Sequence, residues 1–127
     1  MKEKKLRITV KSVHYCFKNL DDPMALKRSP LTELSQTQAL AKRYRNLPWA
    51  TGLALRDLIR QSCDRALAIE VPDKHSQTIQ AFLRLYMDTP NVAQAARTLG
   101  MDRRRIYEWV LPQAMELVAS TLEGQMS

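Results

Sequence analysis

Three consecutive arginines form the most distinctive chemical cluster in this sequence. Arg103, Arg104 and Arg105 are followed closely by Tyr107 and Glu108. A guanidinium group donates two hydrogen bonds at once to the O6 and N7 atoms of guanine, and it binds phosphate oxygens with the same fork of donors. The cluster therefore suits recognition of a polyanion. The alternative interpretation is a solvated helix face with no binding role.

Residues of the catalytic and metal-ligating types are scattered along the chain. The sequence has no glycine-rich phosphate loop, no His-Glu metal motif and no nucleophile elbow, and Asp21-Asp22 ahead of a proline is typical of a helix cap. His14 and His75 lack partners at the spacing of a metal site or a triad. Cys16 and Cys63 are expected to be buried, reduced thiols. We therefore expect no enzyme activity, no metal and no cofactor.

Length and composition indicate one small domain. The chain has 127 residues, 45% of them apolar, and only three glycines, which favours a packed core of helices. No run of 18 apolar residues occurs, so we expect no membrane span and a cytoplasmic protein. Residues 1–45 carry 11 basic and four acidic side chains, whereas residues 46–127 carry nine of each. The excess positive charge at the front attracts polyanions without distinguishing DNA from RNA, an acidic protein or a membrane surface.

Hydrophobic spacing predicts an all-α fold, a small multi-helix bundle. Residues 9–20 have helical spacing, although the same residue types would suit a strand. Asp21-Asp22-Pro23 and Ser29-Pro30 each combine a cap residue with proline at the first helical position, so two helices are expected to start there. The remaining apolar patterns predict a long amphipathic helix at 53–69, a helix around 79–86 and a further helix at 113–122, after Pro112.

Between residues 90 and 111 the sequence predicts two short helices joined by a tight turn. Asn91 and Asp102 are of the N-cap type, and Gly100 supplies the left-handed conformation that a sharp turn requires. The pair Ala95 and Ala96 lets two crossing helices approach closely. The positions expected to face inward are Val92, Ala95, Ala96, Leu99, Ile106, Trp109 and Val110. This is a helix-turn-helix pattern.

The same stretch resembles the helix-turn-helix of bacterial transcription regulators, most closely the Fis type that also ends many enhancer-binding activators. In that family an Asn, an Ala-Ala pair, Leu-Gly, an apolar residue and an Arg recur in this order. The matching residues here are Asn91, Ala95, Ala96, Leu99, Gly100, Met101, Arg103 and Ile106, within about 22 of the 127 residues. The resemblance implies that the second helix, residues 102–111, lies in the major groove of DNA.

In such a helix the N-terminal residues meet base edges, so Arg103 and Arg104 are the leading candidates for contact with bases. Glu108 either accepts a hydrogen bond from cytosine N4 or pairs with Arg104 four residues earlier. Arg105, Tyr107, Arg97 and the backbone N–H groups at Asn91 and Val92 are expected to hold phosphates. The predicted DNA-binding residues are Asn91, Arg97, Asp102, Arg103, Arg104, Arg105, Tyr107 and Glu108.

These patterns together predict a sequence-specific DNA-binding transcription regulator of bacterial type, associated with the nucleoid. Its partners would be double-stranded DNA, a second copy of the chain and, as a further candidate, RNA polymerase or another transcription protein. Residues 1–8, with Lys2, Lys4, Lys5 and Arg7, would form a basic arm, and residues 9–70 a helical part that is a candidate for dimerisation. Residues 73–111 would form the DNA-binding part and 112–123 a C-terminal helix. The alternative is an adaptor, a helical module that contacts the transcription machinery without contacting bases.

Overall fold

This computed structural model describes residues 8–45 and 47–125, and in that part of the chain the regular structure is all helical, with no strand. The predicted all-α class is confirmed. The first half contains α1 (Val10–Lys18), α2 (Pro23–Leu26), a 3-10 helix (Pro30–Glu33), α3 (Ser35–Ala41), a second 3-10 helix (Lys42–Tyr44) and α4 (Ala50–Leu67). The second half contains α5 (Lys74–Asp88), α6 (Val92–Leu99), α7 (Arg103–Arg105), a π-helical segment (Ile106–Val110) and α8 (Leu111–Gln125). The basic side chains of the predicted arm, Lys2, Lys4, Lys5 and Arg7, lie outside the described residues, and Ile8, the last residue of that arm, is buried in the core.

Local hydrogen bonds explain where the helices of the first half begin. Thr9 and Ser12 form a reciprocal capping box in which each side chain accepts from the backbone N–H of the other, both at 3.1 Å, and this favours a helix over a strand for α1. The Asp22 carboxylate accepts from the backbone of Ala25 at 3.2 Å, and proline occupies the first position of α2. At the second expected helix start, Ser29-Pro30, the chain forms a 3-10 helix, and α3 follows that helix.

The long helix α4 lies at the centre of the bundle and packs against α1, α2, α3, α5 and α8. Its apolar face is fully enclosed, as Leu55, Ile59 and Cys63 show. The apolar face of α8 is buried in the same core. The amphipathic helices α4 and α8 therefore both use their apolar faces within the chain. Any contact with a second copy would have to use other surfaces.

Aromatic and thiol side chains complete this core. Phe82 and Tyr86 are buried and stack with their ring centroids 5.0 Å apart, as expected for core residues. Both cysteines are buried and unbridged, and desolvation raises the pKa of Cys16 to about 11 and that of Cys63 to about 12. His14 also contacts this core, where its Nε2 lies 2.9 Å from the Tyr86 hydroxyl. None of the described helices combines the length and the hydropathy that a bilayer span requires.

The C-terminal helix is joined to α7 without a break. We expected Pro112 to separate the two, yet residues 103–125 form one continuous helix in which the turn before the proline is π-helical. The Leu111 N–H bonds to the carbonyl of Ile106, five residues back. A proline lacks the N–H and clashes with the carbonyl four residues earlier in a regular α-helix. The π-helical turn before Pro112 thus accommodates the proline without ending the helix.

At Gly52 the backbone of α4 approaches that of α2 closely. A Cβ atom at this position would lie 2.0 Å from the Pro23 carbonyl oxygen, which is backbone and has little room to move. Gly52→Ala is therefore expected to lower the free energy of unfolding by about 3 kcal/mol or more. Gly124→Ala is the matched control, because nothing lies within 4 Å of its added methyl group and alanine favours a helix. Urea denaturation followed by circular dichroism measures both, and equal stability of the two variants would contradict the tight crossing.

Candidate nucleic-acid interface

Helix α6 begins at a side-chain cap and buries one narrow face. The Asn91 Oδ1 atom accepts from the backbone N–H of Gln94 at 3.0 Å. Val92, Ala95 and Ala96 are nearly fully buried, and the small side chains of the alanine pair leave room for the neighbouring helices. Asn91 and Arg97 are exposed. The cap therefore forms as predicted, and the Asn91 side chain is already engaged with its own helix.

Helix α6 ends in a Schellman motif centred on Gly100. The glycine has φ 64° and ψ 36°, the left-handed region. Its N–H bonds to the carbonyl of Arg97 at 3.3 Å, and the Met101 N–H bonds to that of Ala96 at 2.9 Å. These two bonds satisfy carbonyl groups that a helix end otherwise leaves open. The chain is thereby redirected into the next helix within three residues.

The next helix begins at Asp102. Its Oδ1 atom accepts from the backbone N–H of Arg104 at 3.0 Å, and its carbonyl accepts from Ile106 at 3.2 Å. The predicted cap is therefore present. Ile106 and Val110 are fully buried, whereas Arg103, Arg104 and Arg105 are exposed. The two buried residues fix the orientation of the helix, and they turn all three guanidinium groups outward.

Arg104 and Glu108 form an ion pair on the outer surface. The Arg104 Nε atom lies 3.0 Å from the Glu108 Oε1 atom, and the two side chains are 82% and 65% exposed. The structure therefore shows Glu108 paired with Arg104, which is one of the two roles predicted for it. Such an exposed pair adds little stability. It uses only the Nε–H donor, so the four N–H groups on the two terminal nitrogens remain available.

Arg103 and Arg97 line one shallow cleft beside the turn. This cleft, of roughly 500 Å³, also includes Ala96, Gly100 and Met101. Neither arginine forms an ion pair with another described residue. The two guanidinium groups thus flank the same concave surface with their charge uncompensated.

Arg105 lies on a different surface, over the ring of Trp109. The guanidinium carbon is 5.3 Å from the ring centroid, a cation–π distance. The His75 ring meets the same indole edge-on at 4.1 Å between centroids, and its Nε2 is 3.0 Å from the Gln113 Oε1. Trp109 is half-buried, so it is only partly a core residue. His75 lies 34 positions from Trp109 in the chain, so no local spacing pattern indicates this contact.

Tyr107 is 57% exposed and lies on the same continuous helix as the arginines, next to Glu108 in the chain. Burial raises the pKa of Tyr86 to about 12, and the nearby Tyr107 adds to this rise. Tyr107 is therefore a neighbour of the His14–Tyr86 pair. Among the predicted site residues the structure brings together Arg97 with Arg103 and Arg104 with Glu108. In the described ranges no group of three or more His, Cys, Asp or Glu residues is placed to hold a metal ion.

A scan against protein-family models, a search of curated proteins and a search of solved structures each found no match to this chain.

The turn between α6 and α7 depends on a single left-handed residue. Gly100→Ala adds a methyl group that meets no atom within 4 Å, so its cost comes from the backbone alone. We expect the free energy of unfolding to fall by about 1–2 kcal/mol. Gly100→Asn is the matched comparison and should lose less, because asparagine tolerates this conformation. Thermal unfolding of the three proteins tests the ranking, and an alanine variant as stable as the parent would refute it.

Proposed function

We propose that this protein is a sequence-specific DNA-binding transcription regulator that inserts helix 102–111 into the major groove. One observation carries the proposal. α6 and α7 meet at Gly100 and bury Ala95, Ala96 and Ile106, while every arginine of α7 points into solvent. That combination supports a helix-turn-helix whose second helix presents its N-terminal residues to base edges.

Arg103 and Arg104 supply the donors for base recognition in this proposal. The Arg103 side chain projects from the first helical position without an ion-pair partner among the described residues. The Arg104 guanidinium keeps its terminal nitrogens available, because Glu108 takes only the Nε–H. Either group suits the O6 and N7 atoms of guanine. Glu108 then acts as a positioning residue that limits the rotamers of Arg104.

Arg97 would hold the DNA backbone next to the base contacts. Its position beside Arg103 in one cleft supports this role. Phosphate contacts of this kind fix the register of a protein on DNA without selecting sequence. The excess positive charge of residues 1–45 would add general attraction to the duplex, and the proposal implies association with the nucleoid.

Two copies are part of the proposal, because one helix covers only a few base pairs. Paired half-sites about 34 Å apart would give useful specificity. The apolar faces of α4 and α8 are already buried, so the contact would involve other surfaces. Selection of duplexes from a random pool tests this directly, since two copies related by a two-fold axis select a palindrome.

An adaptor is the second candidate function, and a specific observation favours it. Tyr107 is 57% exposed on the same helix as the arginines, beside the Arg104–Glu108 pair. Tyrosine and arginine side chains are enriched at protein–protein interfaces. A protein that gave no mobility shift at about 50 mM salt, where phosphate contacts are strong, yet co-purified with polymerase subunits would favour the adaptor.

Removal of single base contacts should distinguish specific from general binding. Arg103→Ala and Arg104→Ala are each expected to weaken binding to the selected site by roughly 5- to 150-fold, which corresponds to about 1–3 kcal/mol, with a small effect on random duplexes. Lys4→Ala, in the basic N-terminal stretch, should instead weaken binding to both duplexes alike and flatten the salt dependence. Fluorescence anisotropy with the two labelled duplexes measures this, and equal losses on both from the arginine variants would remove the base-contact role.

A further inference from the structure

A second basic surface lies on the other side of α7 from the Arg97–Arg103 cleft. It is a groove of roughly 560 Å³ between α5 and helix 103–125, which we call the Trp109 groove. Its lining includes Lys74 and His75 from α5, Leu99 from the end of α6, Met101 from the turn, and Arg105 and Trp109 from the long helix. Met101 also borders the Arg97–Arg103 cleft, so the two surfaces are neighbours across the turn.

The charged residues that line this groove are all basic. Lys74 and Arg105 line it, and no Asp or Glu is among its described lining residues. Asp73 precedes Lys74 in the chain and remains charged, but it lies outside the lining, and its carboxylate accepts from the backbone of Ser76 at 2.8 Å. Neither Lys74 nor Arg105 forms an ion pair with another described residue, whereas Arg104 is paired with Glu108. A groove lined by unpaired cations favours an anionic occupant.

Trp109 gives this surface a rigid floor. Its indole is held edge-on by His75 at 4.1 Å and supports the Arg105 guanidinium at 5.3 Å. The side chains of Leu99 and Met101 extend the apolar floor toward the turn. The groove thus combines an apolar base with a cationic edge. A nucleic-acid backbone has matching chemistry, because apolar deoxyribose faces alternate with phosphates.

We propose that the Trp109 groove receives the sugar–phosphate backbone of one DNA strand, with Lys74 and Arg105 each contacting a phosphate. This inference rests on the proposed function. A helix in the major groove has one strand on either side of it. The Arg97–Arg103 cleft faces one strand and the Trp109 groove faces the other, so the α5 residues Lys74 and His75 belong to the DNA-binding surface.

The test compares two double variants that remove the same charge. Lys74→Ala/Arg105→Ala alters the groove, and Lys27→Ala/Arg28→Ala alters exposed residues that follow α2, outside the groove. Binding of the selected duplex and of a random duplex is measured over a salt series. The groove variant should lose affinity for both duplexes by the same factor, and its slope of log K against log salt should fall by about 1.8, or 0.9 for each phosphate contact. The control should change the slope much less.

An equal effect of both double variants would show that only net charge matters, and it would contradict the proposal that the Trp109 groove binds the DNA backbone. An unchanged slope for the groove variant, with selective binding by the parent, would also overturn it and would leave the proposed function intact. If the parent bound no duplex at all, the proposed function itself would fail.

Tryptophan emission gives a direct view of the groove. The chain has two tryptophans, so Trp49→Phe leaves Trp109 as the only one. Addition of a random duplex should change its emission, and Lys74→Ala/Arg105→Ala in the same background should remove that change. Binding of the duplex with unaltered Trp109 emission would place the DNA backbone elsewhere and contradict the proposal.

Discussion

Apolar contacts of α8 with α1, α4 and α5 determine where the arginines of α7 lie. Met115, Val118 and Leu122 are buried among these helices, and the π-helical segment joins α8 to α7 without an interruption. Because a continuous helix transmits its direction along its length, anchoring of the second half also orients the first. The buried contacts of α8 therefore fix the orientation of the exposed surface that carries the guanidinium groups. A loop-borne cluster of the same residues would lack this preorganisation.

Local chemistry could be predicted from the sequence, and long-range chemistry could not. Asn91, Gly100 and Asp102 act within a few residues of their own position, so their caps and the left-handed turn follow from residue type. The His75–Trp109 contact joins residues 34 positions apart, and no spacing rule indicates it. The effect of Pro112 was also outside such rules. A proline disfavours a regular α-helical turn before it. Whether the helix then ends or continues through a wider turn depends on the packing on either side.

The Arg104–Glu108 pair shows how one spacing supports two roles. A glutamate four residues after an arginine is close enough to bind it on any helix, so the pair requires no partner molecule. Its exposure makes it weak and easily exchanged. The same geometry keeps the terminal nitrogens of Arg104 directed outward. Pairing within the helix and recognition of a base are thus compatible at this position, because they use different atoms of one guanidinium group.

Three identical residues in a row occupy three different environments because each step along an α-helix turns by about 100°. Arg103 borders the cleft with Arg97, Arg104 points outward beside Glu108, and Arg105 lies on Trp109. This division follows from helix geometry alone, so it occurs in a solvated patch as well as in a binding surface. The proposed function uses it in a specific way: Arg103 and Arg104 meet bases in the groove, while Arg105 meets a phosphate backbone beside it. The salt dependence and the sequence dependence of binding are therefore carried by different members of the same arginine cluster.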